Sequence, residues 1–547
     1  MTDARTVPGA RATGAVTQVD VAVVGAGPAG LAAAATCASA GLTVCLIDRA
    51  TDIGGQYWRQ PSESSGGRGT PDSREGRRAV DAKDLRHLHH DLATFEALQD
   101  RLGEAVRAGL VDLRLRTQVW TAVVPATADD PASALAAAEL HVLGPTGVAG
   151  VVRTRRLVIA TGAHDIALPF PGWDLPGVMT IGGIQALLKG SDVVPGRRVA
   201  LGGTGPFLLP VAAALAARGV EVVGVFEANA PTTWLPQLST VARHPARLGE
   251  GLAYAATLAR HRVPFRPRTM IVEAHGHDRV AAVSVRRLDR AGRSRGGVVI
   301  RHAVDAVGIG WGFSPILDLA VTLGCATRRG DNGLAVIAVD SEQRSSVPAV
   351  LAAGEPTGVG GAALALAEGE LAGTVVVADL ADPVDAADPG GTFNAAARSR
   401  LARRRRQTVQ RDVTRLRSFA TAMHAAHPVP NGWADPIRPE TTVCRCEEVD
   451  AATVLEAIAS GADTARQVKQ LTRAGMGWCQ GRICEPACAL LVAGAGPQAT
   501  REATRDSGMV GTQPLAGATE RLVAQPVSLG ALADLFSSTP QHQSRVQ

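Results

Sequence analysis

Lysine is almost missing from this 547-residue chain: Lys83, Lys189 and Lys469 are the only three among 56 basic residues. A skew of that size reads as genomic base composition, so arginine runs such as Arg403–Arg406 carry little functional weight. Net charge is only +5, which leaves no electrostatic case for a nucleic-acid partner. No apolar run is long enough to cross a bilayer as a helix, since the longest is broken by glycines. Residues 1–18 are polar, lack the apolar centre of an export signal and read as a flexible leader. Cysteine is scarce too, eight in all, which excludes a disulfide scaffold. Five of the eight fall between Cys444 and Cys488. That pattern suits a metal or redox centre in a reducing compartment, with the cytoplasm as the expected location.

What is there begins with VDVAVVGAGPAGLAAAATCASAGLTVCLID, from Val19 to Asp48. A short apolar strand runs into Gly25-Ala26-Gly27-Pro28-Ala29-Gly30, then an alanine-rich helix and a second strand ending on Asp48. Strand, turn, helix and acid together form the dinucleotide-binding fingerprint in its proper setting. Gly25 serves the tight turn, Gly27 the approach of backbone to a pyrophosphate, and Gly30 the close packing of helix on strand. Helix N–H groups face the anion, and Asp48 is placed to receive adenosine ribose hydroxyls. Arg49 follows the acid, and Gly54-Gly55-Gln56-Tyr57-Trp58-Arg59 suggests backbone closing over a cofactor, with Gly55, Gln56 and Arg59 as contacts. A plain turn is the alternative for that stretch.

A second unit follows at Gly203-Thr204-Gly205, with Glu227 in the acid position 24 residues after Gly203. Leu208 replaces the third glycine, which should set helix and strand slightly farther apart. Glu227 would repel a 2′-phosphate, so NAD is preferred over NADP there, with ATP, ADP or an empty site as alternatives. One unit inserted in another gives the expected class: α/β, two nested Rossmann-like dinucleotide-binding domains plus a small helical iron–sulfur domain. Ala160-Thr161-Gly162 ends another apolar strand. Gly354-Glu355 ends a late one, where a flavin's ribityl chain would need a partner, so FAD is favoured at the first fingerprint.

The expected domains are 19–195 with 300–382 for FAD, 196–299 inserted for NAD or another adenine nucleotide, 383–438 as linker and basic helix, 439–496 for the cluster and 497–547 as a tail. Residues 61–84 read as a surface loop, Leu85–Ala108 and Ala362–Ala378 as helices, the latter buried. Leu113–Val119 and Glu139–Val142 read as strands. Val527–Phe536 is an apolar patch able to dock on the body. The cysteines Cys444-x-Cys446 and Cys479-x4-Cys484 supply two thiolate pairs for one soft centre, an iron–sulfur cluster or tetrahedral zinc. A one-electron carrier suits a flavin neighbour better than structural zinc. Cys488, Cys37, Cys45 and Cys325 read as packing residues. With no cysteine pair beside either fingerprint, dithiol chemistry is excluded. No catalytic acid or base stands out. His164 is a candidate, against the plainer reading of a surface-loop histidine.

The stretches ATGAHDIALPFPGWDLPGVMTIGGIQALLKG (160–190), GGQYWRQ (54–60), AAGEPTGVGGAALALAEGELAG (352–373) and CRCEEV…TRAGMGWCQGRIC (444–484) resemble the large flavoprotein subunit of heteromeric amino-acid-type dehydrogenases. That family includes the alpha subunit of dye-linked proline or hydroxyproline dehydrogenase and the corresponding subunits of opine oxidase and hydrogen cyanide synthase. The resemblance implies an FAD module of the pyridine-nucleotide-disulfide-reductase type. It also implies a [2Fe–2S] domain similar to bacterioferritin-associated ferredoxin, with Cys444, Cys446, Cys479 and Cys484 as ligands. It further implies a smaller, FAD-containing, amine-oxidising beta subunit, with a small ferredoxin-like subunit in addition, and NAD(H) or ATP at the second site. Gly354-Glu355 stands where related reductases carry Gly-Asp, one methylene longer. The expected function is therefore an FAD- and [2Fe–2S]-dependent electron-transfer subunit of an amino-acid, imino-acid or opine dehydrogenase. A stand-alone NADH-dependent flavoprotein reductase and a nucleotide-sensing scaffold are the alternatives.

Overall fold

In the computed structural model, residues 16–60, 91–124, 137–145, 147–294, 296–381, 392–495, 523–528, 530 and 533 are described. The sequence expectations for 61–84, 85–90 and 383–391 lie outside them.

The first module grows from the fingerprint. β1 (Val16–Val24) leads into α1 (Pro28–Ser39) and β2 (Val44–Ile47). Then come α2 (Leu92–Arg107), β3 (Val111–Arg114), β4 (Gln118–Val123), β5 (Ala138–Leu143) and the long β6 (Ala149–Ile159). Sheet order is β3-β2-β1-β6-β5-β4. β1 is parallel to β2 and β6, whereas β5 and β4 turn back antiparallel. Val21, Val23, Val44 and Leu46 are fully buried, which suits a parallel sheet covered on both faces. The expected single strand Leu113–Val119 is instead two, β3 and β4. Arg116 turns the chain between them at φ +50, a conformation that no continuous strand tolerates.

β7 (Ala163–Asp165), β8 (Val178–Thr180) and α3 (Ile181–Ser191) lead into the inserted module. There β9 (Arg198–Gly203), α4 (Leu208–Ala217) and β10 (Glu221–Glu227) repeat the fingerprint topology. α5 (Leu238–Ala242), α6 (Pro245–Arg260), β11 (Phe265–Pro267) and an antiparallel trio β12 (Thr269–Gly276), β13 (Val280–Arg287) and β14 (Val299–Ala303) complete it. β15 (Ala306–Gly310) then closes a five-stranded sheet of order β11-β10-β9-β15-β8. The inserted module therefore reaches beyond 196–299: β8 and β15 pair within its sheet, and β14 belongs to its antiparallel trio.

β16 (Phe313–Pro315) returns antiparallel to β7, so two adjacent strands carry the chain into and out of the insertion. α7 (Asp318–Thr322), the hairpin β17 (Thr327–Arg329) and β18 (Ala335–Ile337), and β19 (Val350–Ala352) rejoin the first module. β19 lies parallel to β6, with Ala352 opposite Ile159. α8 (Ala362–Leu380) packs on α1 through glycine: a Cβ on Gly369 would sit 2.0 Å from the Ala29 carbonyl oxygen. The basic α9 (Thr392–Ala426) packs between the modules, as a helix joining domains is expected to do. Val409 and Val413 join the first module's core, and the His244 ring of the inserted module bonds the Arg415 carbonyl at 2.9 Å.

The small last domain holds β20 (Thr442–Cys444), β21 (Val449–Asp450), α10 (Ala451–Ala459), α11 (Ala465–Thr472) and α12 (Glu485–Ala495). Asp450 and Thr464 cap the first two helices, accepting from Thr453 N at 2.9 Å and Gln467 N at 3.2 Å. In the tail, Ala524 docks on the first module, while most of the expected patch Val527–Phe536 lies outside the described residues. Its N–H donates to Trp120 O at 2.7 Å and its methyl enters the first module's core.

Candidate functional site

The first fingerprint, the GGQYWR turn, the 160–162 turn and Gly354-Glu355 meet at the carboxyl ends of the parallel strands of the first sheet. That is where ligands of open α/β sheets sit. The closeness is backbone on backbone. A Cβ on Gly25 would lie 2.1 Å from Ala160 O, and one on Gly55 would lie 2.8 Å from the Gly27 Cα. A Cβ on Gly354 would reach the Ala29 methyl at 3.0 Å. α1 starts at Pro28, whose missing N–H is one of the unpaired first-turn donors anyway. Asp48 braces the turn, accepting from Ala26 N at 2.6 Å and Ala50 N at 2.7 Å. Arg49, Gly162 and Gln56 line the same cleft, Arg59 holds Gln56 through a 2.9 Å bond, and the Thr161 hydroxyl donates to Ile316 O.

Glu355 turns its longer side chain back on the chain. Oε1 accepts from Gly361 N at 2.9 Å, while Oε2 is buried with no partner. Burial pushes this carboxyl up to about 7. Beneath it, Glu368 accepts from Gly354 N and the Thr357 hydroxyl, both at 2.8 Å, and meets Arg417 of α9. The sequence reading passed over Glu368 and Arg417, although the two glutamates Glu368 and Glu370 on the otherwise apolar first half of α8 were the available signal.

The inserted cradle repeats the arrangement with its acid shifted by one position. Glu227 accepts from Gly205 N at 3.0 Å and from the Thr204 hydroxyl at 2.8 Å. Asp48 reaches only the middle residue of its turn, so the extra methylene of Glu227 accounts for the shift. α4 begins at Leu208 itself, whereas α1 begins two residues before Gly30. The later start gives the leucine room, and its side chain is buried. A Cβ on Gly203 would collide with Gly310 O at 1.8 Å, as Gly25 does with Ala160.

His164 is not a surface-loop residue. It lies on β7 with Nε2 buried and unpartnered, and burial, aided by Arg482 and Arg49, pushes its ring down to about 4. Lys189 is buried as well. It donates to Tyr57 O at 2.8 Å, and burial lowers it to about 8.

In the last domain the thiols meet in two pairs: Cys444 with Cys484, and Cys446 with Cys479. The first pair is buried, whereas Cys446 is exposed and Cys479 half-exposed. Gly475 N donates to Cys444 Sγ at 3.5 Å, and a Cβ on Gly477 would strike Cys446 Cβ at 2.3 Å. Among the described residues no three such groups converge on a single ion. Two pairs suit a binuclear centre, in which each iron takes two thiolates, better than one tetrahedral zinc. Cys488 touches Cys484 and is buried in the domain core.

One cleft of about 3550 Å³ joins these parts. Gly27, Asp48 and Glu355 line it, as do Gly205 and Glu227, and so do Ala462, Ile483 and Leu490 of the cysteine domain. Two nested dinucleotide modules with a thiolate domain on their shared cleft define a flavoprotein oxidoreductase with a fused iron–sulfur domain.

The chain belongs to the pyridine nucleotide-disulphide oxidoreductase family, which it matches over residues 19–370, and carries a BFD-like [2Fe–2S] binding domain over residues 442–493. The first match implies FAD or nucleotide binding and the second a [2Fe–2S] cluster. The chain is 30% identical to the HcnB subunit of hydrogen cyanide synthase from Pseudomonas protegens, over 85% of this chain and 90% of that protein. It is also 30% identical to an opine oxidase subunit of Rhizobium meliloti, over 94% and 98%. Among solved structures, L-proline dehydrogenase from P. horikoshii shares the fold, with a TM-score of 0.56 and 19% identity over 95% of this chain and 80% of that one.

Proposed function

We propose that this chain is the electron-relay subunit of a heteromeric dehydrogenase acting on an amino acid, imino acid or opine. The observation that carries the reading is the shared cleft, lined by the first cradle and by the cysteine domain. Gly25, Gly27, Gly55, Asp48 and Glu355 would hold FAD, with the buried free Oε2 of Glu355 available to a ligand hydroxyl. Cys444, Cys446, Cys479 and Cys484 would hold the cluster. When bound, the flavin would supply two-electron chemistry and the cluster one-electron transfer. The chain's own residues bring the domain that carries the thiolates onto the cleft of the first cradle, with Ile483, next to Cys484, among its lining.

The relatives' names as subunits support a partner, here a smaller FAD-containing amine-oxidising chain, with a small ferredoxin-like chain as a further member. The inserted cradle would take NAD(H) or ATP. Glu227 opposes a 2′-phosphate, so NADH is expected to bind in preference to NADPH. A thiolate centre at Cys444, Cys446, Cys479 and Cys484 suits a reducing, cytoplasmic setting, and among the described residues no helix is long and apolar enough to cross a membrane.

Purification of the chain from its native host, with cofactor analysis and amine-substrate screening of whatever accompanies it, tests the reading. Co-purification of a flavin-bearing partner and amine-dependent dye reduction are expected. A homo-oligomer that turns over NADH and ignores amines would overturn it in favour of a stand-alone reductase.

A further inference from the structure

Arg482 sits between two of the cysteines, in the loop Cys479-Gln480-Gly481-Arg482-Ile483-Cys484. A guanidinium carries five donors in a rigid fork, and this one is spread over three structural units. It donates to the carbonyl of Cys479 at 3.2 Å, within the cysteine loop itself. It meets Asp318 Oδ2 of the first module at 3.0 Å. It also donates to Ala524 O at 3.1 Å, in the tail segment that pairs with Trp120 of β4.

The partners make this more than a surface ion pair. The side chains of Arg482 and Asp318 are only 14% and 11% exposed. Asp318 opens α7, whose Leu319 and Ala320 belong to the core under the first sheet. Desolvating two charges is costly, and a buried pair is seldom kept for stability alone. Further polar ties run to the Trp173 segment ahead of β8 and to β12 of the inserted module. Trp173 Nε1 donates to Thr442 O at 2.6 Å, the Arg445 guanidinium lies 3.9 Å over the Trp173 ring, and Arg438 pairs with Glu273 at 2.8 Å. None of those three contacts reaches the cysteine loop or the first cradle. Arg482 ties the loop that carries two of the thiolates to the first module, close to His164.

We propose that Arg482, through Asp318, is the positioning residue that keeps the iron–sulfur loop in electron-transfer register with the flavin module. The proposal rests on the relay reading above. In that relay each electron leaves the reduced flavin singly, crosses to the iron centre and passes on to an external one-electron acceptor, while the flavin's protons go to solvent. Arg482 takes no part in the electron exchange. It fixes the Cys479 carbonyl, and with it the loop, against a rigid helix start.

The test uses the full chain, loaded with flavin and iron, in four forms: unchanged, Asp318→Asn, Arg482→Gln and Arg482→Lys. Two quantities are read. One is the rate of passage from photoreduced flavin to the iron centre without oxygen, followed by the bleaching of each chromophore. The other is amide hydrogen exchange over residues 476–484. Asp318→Asn and Arg482→Gln are expected to slow the passage about 10–100-fold, the usual penalty for losing an outer-shell partner of a metal site. Exchange over 476–484 should quicken in both. Arg482→Lys, which keeps the charge for Asp318, should recover part of the rate, a rescue that general loosening of the fold would not give. If Arg482→Gln loses its iron, Asp318→Asn decides, because it leaves the cysteine loop untouched. An unchanged rate in Asp318→Asn overturns the proposal. If the unchanged chain passes no electrons from flavin to iron, the relay reading falls. Exchange over 476–484 then decides the contact: quickened in Asp318→Asn it stands, unchanged it is overturned.

Discussion

The carboxylate of Glu368, fully buried on α8, is neutralised by the guanidinium of Arg417 on α9, and its other oxygen holds the N–H of Gly354. A helix outside both nucleotide modules thus reaches in to support the turn beside the first cradle. Burial raises the Glu368 carboxyl, with Arg417, Thr357 and Gly354 pulling against it. Arg417→Ala leaves a buried charge without its partner and should cost about 3–5 kcal/mol of stability. Paired replacement by Glu368→Gln and Arg417→Met removes both charges and should cost less. Urea unfolding of the three forms, with flavin content measured beside it, checks this. A loss under about 1 kcal/mol in Arg417→Ala would show that solvent already reaches the carboxylate.

The thiol pairs make a sharper forecast for the last domain. Serine at Cys444, Cys446, Cys479 or Cys484 should abolish the visible and paramagnetic signature of the cluster and leave flavin content unchanged. Cys488→Ser should keep the iron, although Cys488 touches Cys484, because its place is in the apolar core. Iron loss in the Cys488 variant alone would reassign the ligands.

Much of this was legible in the sequence because it is local. Gly25, Gly27, Gly30 and Asp48 declare the turn through spacing alone, and the crowding of cysteines between Cys444 and Cys488 points to the last domain in the same way. The boundary of the insertion was not legible, since β15 joins the second sheet by pairing with β9, and β8 by pairing with β15, each across more than a hundred residues. Arg417 and Arg482 were hidden for a different reason. In an arginine-rich chain a functional guanidinium looks like its neighbours until its partner is seen, and Glu368 and Asp318 lie far off in sequence. His164 was misplaced because a short polar stretch after a glycine reads as a loop, while pairing with Ser314 of β16 makes it a strand.

His164 should also set part of the acid limit of the fold. Its folded value, about 4, lies below the ordinary value of 6.5, so the unfolded chain takes up a proton that the folded chain refuses. Stability from this ring is complete above the ordinary value and is lost as pH falls from there towards the folded value. The loss is on the order of 3 kcal/mol at most, before solvent screening. Burial holds the ring neutral, with Arg482 and Arg49 adding to it and Asp318 opposing. Between neutrality and mild acid, His164→Gln should therefore lose less stability than the unchanged chain. Parallel slopes for the two proteins in urea titrations would refute it.

Gly55 offers the cleanest test of the first cradle, because a control for backbone strain lies nearby. Gly55 and Gly41 both have positive φ, +61 and +85, so alanine at either position pays a similar left-handed penalty of roughly 1–2 kcal/mol. They differ in what a methyl would meet. At Gly41 nothing lies within 4 Å, whereas at Gly55 the Gly27 Cα is 2.8 Å away. Gly27 is the residue whose bareness lets backbone approach a pyrophosphate, so alanine at Gly55 pushes on the site and not only on its own chain. Gly55→Ala should purify with little flavin and intact iron, and Gly41→Ala should keep both while melting somewhat lower. Equal flavin retention in the two would mean that the pinch between Gly27 and Gly55 does not govern cofactor binding, and the place of the flavin would have to be sought elsewhere along the cleft.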